Sequence, residues 1–90
     1  MSAERVLKIV NEKGLHARAS AKFVEVVERF EAEAEVEKDG MSVAGDSIMG
    51  LLMLAASRGT EIVVRTSGAQ AEDLMEALSA LVADRFGEGF

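Results

Sequence analysis

Residues 31–38 alternate without a break: Glu31, Glu33, Glu35 and Glu37 are acidic, while Ala32, Ala34 and Val36 are apolar and Lys38 closes the run. Glutamate and alanine favour helix by propensity. On a helix, however, this pattern spreads charge around every side, whereas on a strand it separates into one acidic and one apolar face. A strand is therefore predicted over 31–38. Asp39-Gly40 follows, and both residues tolerate positive φ, so a two-residue hairpin turn leads into a short return strand over 41–44. A hairpin with one apolar face needs something to bury it.

The flanking segments supply that cover. Residues 5–10 form a short β-rich run with Leu7 and Ile9 on one face, and Val6, Lys8 and Val10 on the other. Residues 17–30 carry an apolar stripe at helical spacing, Ser20, Phe23, Val24, Val27 and Phe30, with Lys22, Glu25, Glu28 and Arg29 opposite. A second helix over 47–55 opens at Gly45 or Asp46, is apolar almost all round, and is ended by Ser57-Arg58-Gly59. A strand over 60–66 turns inward with Ile62 and Val64. A last helix over 69–86 has Ala71, Leu74, Met75, Leu78, Leu81, Val82 and Phe86 on its stripe. The element order is β-α-β-β-α-β-α. Three helices on one face of a four-stranded antiparallel sheet bury these faces economically, and right-handed crossovers give the strand order 1-4-2-3. The expected class is α+β, an open-faced β-sandwich, with residues 1–90 forming one domain.

Composition narrows the chemistry. The chain has 90 residues, no cysteine and one histidine, so thiolate catalysis and cysteine-type metal sites are excluded and a structural zinc site is not expected. The net charge of −6 opposes binding to nucleic acid, which is driven by lysine and arginine. Neither a signal peptide nor an apolar run of the ~18 residues a membrane span requires is visible, and a cytoplasmic location without membrane insertion is expected. No cofactor and no metal are expected.

The one histidine, His16, stands in Gly14-Leu15-His16-Ala17-Arg18, where a polar loop gives way to the first helical stripe. Free N–H groups at a helix start attract phosphate, and the Arg18 guanidinium can add charge-assisted bonds. An imidazole nitrogen is a nucleophile near neutral pH. The residues therefore suit a histidine that accepts a phosphoryl group, with no companion acid or base for independent catalysis. A histidine that merely caps the helix fits the same spacing.

Gly14-Leu15-His16-Ala17-Arg18 resembles the active-site motif of HPr, the histidine-containing phosphocarrier family of the bacterial phosphotransferase system. Ser47-Ile48-Met49-Gly50-Leu51-Leu52, about thirty residues on, resembles that family's regulatory-serine helix. The resemblance implies a phosphocarrier, not an enzyme. Enzyme I would phosphorylate His16 on Nδ1 using phosphoenolpyruvate, and an enzyme IIA would receive the group. Arg18 and the backbone N–H groups of Ala17 and Arg18 would steady it. Ser47 would be the site for HPr kinase/phosphorylase, and Ile48, Met49 and Leu52 would dock partners, with Leu51 and Leu54 in the core. A carrier serving successive partners is expected to be monomeric. Many members have proline after the arginine; here Ala19 replaces it, and function is expected to survive. The loop Asn11-Glu12-Lys13-Gly14 and the run Ala19-Ser20-Ala21-Lys22-Phe23 are closer to proteobacterial, nitrogen-branch members than to sugar-transport members.

The alternative is an acyl carrier protein, because Asp46-Ser47-Ile48 also resembles the Asp-Ser-Leu that bears phosphopantetheine. That family is all-helical, so β structure decides between the two.

Overall fold

The computed structural model describes residues 1–90. Its elements are β1 (Ser2–Lys8), α1 (Ala17–Glu28), β2 (Glu33–Lys38), β3 (Met41–Ala44), α2 (Ile48–Met53), β4 (Glu61–Ser67) and α3 (Ala71–Ala83), followed by a single 3₁₀ turn over Arg85–Gly87. The strands form one antiparallel sheet in the order β1-β4-β2-β3. This is the expected α+β open-faced sandwich. A four-stranded sheet is incompatible with an all-helical acyl carrier, and that alternative falls.

The alternation in β2 sorts as the sequence requires. Val36 is fully buried and sits opposite Val64 of β4 on one side and Val43 of β3 on the other, while Glu33 and Glu35 face solvent. Three like charges on one strand face would repel. Arg65 of β4 relieves this, lying 2.8 Å from Glu37, 3.3 Å from Glu35 and 2.9 Å from Glu4. Hydrogen bonds to Glu37 first, then to Glu4, hold its guanidinium above the ordinary arginine value. The hairpin turn has Asp39 at φ 52° and Gly40 at φ 83°, the signs a type I′ turn demands. Leu7, Val36, Ile62 and Val64 meet Phe23, Val27, Leu51, Leu74, Leu78 and Phe86 in one core cluster under the helices.

The expected boundaries need correction in six places, the first being β4, which spans 61–67 and not 60–66, because Ser67 pairs with both Ser2 and Glu33. β1 spans 2–8, not 5–10, because its register with β4 starts at Ser2↔Ser67; Ile9 keeps two bonds, its N–H donating to the Thr60 carbonyl at 2.9 Å and its carbonyl accepting from the Gly59 N–H at 2.7 Å. β2 begins at Glu33, not Glu31, because Glu31 is tied to Gln70 by N–H donation in both directions, at 2.8 and 3.0 Å. α1 ends at Glu28, short of Phe30. α2 stops at Met53, not at 55, with Ala55 at φ 51° turning the chain so that the Ala56 carbonyl accepts the Leu15 N–H at 2.9 Å. α3 covers 71–83, not 69–86: Phe86 is buried, as its place in the stripe implies, but it arrives there on a reverse turn with Arg85 at φ 55° and Phe86 at φ 54°.

That last turn is informative. Two non-glycine residues in the left-handed region cost on the order of 1–3 kcal/mol each. Burying one phenylalanine returns about 1.5–3 kcal/mol. The turn therefore needs further bonds, and it has them: Lys22 Nζ donates to the Phe86 carbonyl at 2.6 Å, and Glu88 is held by two side chains.

Candidate functional site

The site begins at Gly14. Its φ of +66° is left-handed, and a Cβ there would press on the Ala56 carbonyl oxygen and come within 2.9 Å of Ser57 Cα. Only glycine allows the loop to close so tightly against the end of α2. Leu15 is then buried, and the Ser20 hydroxyl donates to its carbonyl at 3.2 Å. The chain delivers His16 to the N-cap of α1 with extended backbone, φ −74° and ψ −178°.

Both ring nitrogens of His16 are engaged. Nδ1 accepts from the Arg18 backbone N–H at 3.3 Å, and Nε2 meets Glu88 Oε2 in a short contact. An amide N–H can only donate, so Nδ1 is the unprotonated nitrogen and the ring proton lies on Nε2, facing the carboxylate. The lone pair of Nδ1 consequently points at the open end of α1. The imidazole is 27% exposed, enough to be reached.

A shallow cleft of about 190 Å³ opens beside it, lined by Lys13, Arg18, Lys22, Gly87, Glu88 and Phe90 as well as His16. Three cations around one ring in a chain of net charge −6 make a local site for an anion. The larger hollow, about 630 Å³, lies on the open sheet face around Arg65 and contains none of these residues.

Glu88 is the acid of the cleft, and its side chain is only 6% exposed. Burial alone would raise its pKa. Hydrogen bonds from Asn11 and His16, and the charge of Lys22, outweigh this and hold it below the ordinary glutamate value. Asn11 is fully buried and donates to Glu88 Oε1 at 3.0 Å and to the Gly14 carbonyl at 2.8 Å.

The sequence-expected residues fall as follows. His16, Ala17 and Arg18 lie together at the start of α1, with Ala17 and Arg18 exposed. Ala19, where many relatives carry proline, is fully buried within α1, and the helix runs through it unbroken. Ser47 is the N-cap of α2, its hydroxyl accepting from the Gly50 N–H at 3.0 Å. Leu51 and Leu54 are buried, whereas Ile48, Met49 and Leu52 are exposed by 40%, 70% and 36%, so α2 presents an apolar face to solvent. Asn11, Lys22 and Glu88 escaped sequence reasoning as site residues. Gly87 and Gly89, flanking Glu88 with φ of 76° and 78°, are the one local signal that the chain bends there.

A partly exposed histidine thus caps the first helix of an open-faced sandwich, with Nδ1 directed at the N–H groups of the helix start. The family model described as "PTS HPr component phosphorylation site" matches residues 3–84. The phosphocarrier protein HPr of Neisseria meningitidis serogroup A is 48% identical over 83 residues, covering 92% of this chain and 93% of the relative. Among solved structures, HPr-C-His from Thermoanaerobacter tengcongensis superposes with a TM-score of 0.93 at 36% identity, over 98% of this chain and 99% of that one. A structure titled as an HPr dimer from the same organism gives a TM-score of 0.77 at 38% identity, over 91% and 94%. The chain belongs to the HPr family of phosphocarrier proteins of the phosphotransferase system.

Proposed function

We propose that the chain, acting as one domain and as a monomer in the cytoplasm, accepts a phosphoryl group on Nδ1 of His16 from enzyme I, charged by phosphoenolpyruvate, and passes it to an enzyme IIA. The observation that carries this reading is the direction of the Nδ1 lone pair, aimed at the N-terminus of α1 beside three cations. At 3.3 Å its bond from the Arg18 N–H is long and cheaply given up. Once phosphate occupies Nδ1, that N–H and the N–H of Ala17 turn to the phosphoryl oxygens, and the exposed Arg18 guanidinium closes over them.

The apolar face of α2, with Ile48, Met49 and Leu52, is the docking surface; methionine adapts to several partners. Ser47 at its N-cap is the regulatory site for HPr kinase/phosphorylase, since a helix N-terminus tolerates added phosphate while the new charge opposes docking. The loop Asn11–Gly14 and the run Ala19–Phe23 favour a partner of the nitrogen-regulatory branch over a sugar-specific one.

The reading is tested by incubating the protein with enzyme I, phosphoenolpyruvate and an enzyme IIA of each branch. Phosphate should pass through the protein to the nitrogen-branch acceptor. Loss of the guanidinium in Arg18→Ala should slow the relay about tenfold or more, the worth of one charge-assisted bond. A relay that runs equally fast without the protein contradicts the proposal.

A further inference from the structure

We propose that Glu88 is a positioning residue for phosphoryl exchange at His16: it keeps the ring proton on Nε2 and balances the positive charge the ring acquires when Nδ1 bears phosphate. This rests on the reading of His16 as the phosphoryl acceptor.

The chain goes to some length to place this one carboxylate. Arg85, Phe86, Gly87 and Gly89 all have positive φ, and Phe86 is anchored in the core. Lys22 holds the Phe86 carbonyl, and buried Asn11 holds Glu88 Oε1. Glu88 Oε2 is then left to His16 Nε2. A carboxylate fixed behind an imidazole orients the ring, selects its tautomer and stabilises its cationic form. The other charged groups facing the ring across the cleft are Lys13, Arg18 and Lys22. All three are cations that disfavour a positive imidazole, and Glu88 is the one group opposing them.

The chemistry balances without moving a proton. In loading, the Nδ1 lone pair forms the bond to phosphorus while the donor's bond to phosphorus breaks and its electron pair returns to the donor. The ring becomes an Nδ1-phosphorylated imidazolium that still carries Nε2–H. In unloading, the N–P bond breaks, its pair stays on Nδ1, and a neutral imidazole with Nε2–H departs. A ring that had lost the Nε2 proton would have to leave as imidazolate, a far poorer leaving group. Glu88 therefore keeps the phosphoryl group transferable.

The test loads wild type, Glu88→Gln and Glu88→Asp chemically with phosphoramidate, which needs no partner protein, and follows loss of phosphate from His16 against pH. Loss is fast while the ring is protonated and slow above that range. In Glu88→Gln, which keeps the shape of the side chain and removes its charge, the fall in rate should move to lower pH by about one unit, the effect of an opposite charge in contact. Glu88→Asp should lie between the two. A Glu88→Gln profile that superimposes on wild type overturns the proposal, and so does a variant whose urea midpoint falls while its profile stays put, because that describes a purely structural tail. Protein that takes phosphate from phosphoramidate but not from enzyme I overturns the carrier reading alone, and the pH profiles still decide the role of Glu88.

Discussion

Asn11 Nδ2 donates to Glu88 Oε1 at 3.0 Å, joining residues 77 positions apart across the loop that precedes His16. The same amide donates to the Gly14 carbonyl at 2.8 Å. One buried side chain thus fixes both the approach to the histidine and the carboxylate behind it.

Replacing Asn11 with alanine removes both bonds and leaves a buried carbonyl and a carboxylate without their donor. Loss of a bond to a charged group costs about 1.5–3 kcal/mol. Asn11→Ala should therefore be less stable by roughly 2–3 kcal/mol, read from urea denaturation. A change within 0.5 kcal/mol, the range of about 0.5 kcal/mol usual for surface substitutions, would show that Asn11 supports nothing.

Acid should release the tail. Glu88 is held below the ordinary glutamate value of about 4.3. Its depressed folded value means that the stability it contributes is present above the unfolded pKa and is lost as pH falls through the folded one. Between about pH 6 and pH 3, wild type should lose more stability than Glu88→Gln, which has no such carboxylate to protonate. Parallel stability curves for the two proteins would refute this.

Gly14→Ala combines a left-handed φ with a Cβ driven against the end of α2. The conformation costs about 1–2 kcal/mol and the overpacking about 1–3 kcal/mol. Its expected destabilisation is about 2–5 kcal/mol, with slower phosphoryl uptake because the Leu15–Ala56 bond that seats His16 is disturbed. Gly40→Ala is the comparison: φ is +83° but nothing lies within 4 Å, so only the conformational cost of about 1–2 kcal/mol should appear. Equal thermal shifts for the two would contradict the crowding argument.

At Ser47 two substitutions separate capping from charge. Ser47→Ala loses the bond from the Gly50 N–H and should cost about 1 kcal/mol in thermal or urea unfolding. Ser47→Asp keeps a capping oxygen, so the fold should hold, while its charge beside Ile48 and Met49 should slow transfer from enzyme I. An unchanged transfer rate in Ser47→Asp would remove the regulatory role proposed for this residue.

The parts of the fold that local pattern could read are those where one conformation alone sorts the side chains. The alternation of β2 admits only a strand, and Asp39-Gly40 supplies the positive φ values its hairpin requires. The stripe from Ser20 to Val27 announces α1, and the helix start places His16 at the cap. Helix ends were not legible, because Ala55, Arg85 and Phe86 adopt left-handed backbone against their own propensity, under contacts made elsewhere in the chain. Glu88 was hidden for a related reason. Its neighbouring glycines mark a bend, yet its partners Asn11, His16 and Lys22 all lie more than sixty positions away, and no local pattern encodes such a pairing.

The central claim, that His16 is the phosphoryl acceptor, is tested most directly by the linkage and position of the phosphate. Incubation with enzyme I and phosphoenolpyruvate should give wild-type protein one phosphoryl group per chain, lost on mild acid treatment and stable to base, as a phosphoramidate is. His16→Ala should take up none while keeping the wild-type circular dichroism spectrum. Phosphate that survives acid, persists in His16→Ala, or fails to appear on wild type would contradict the account.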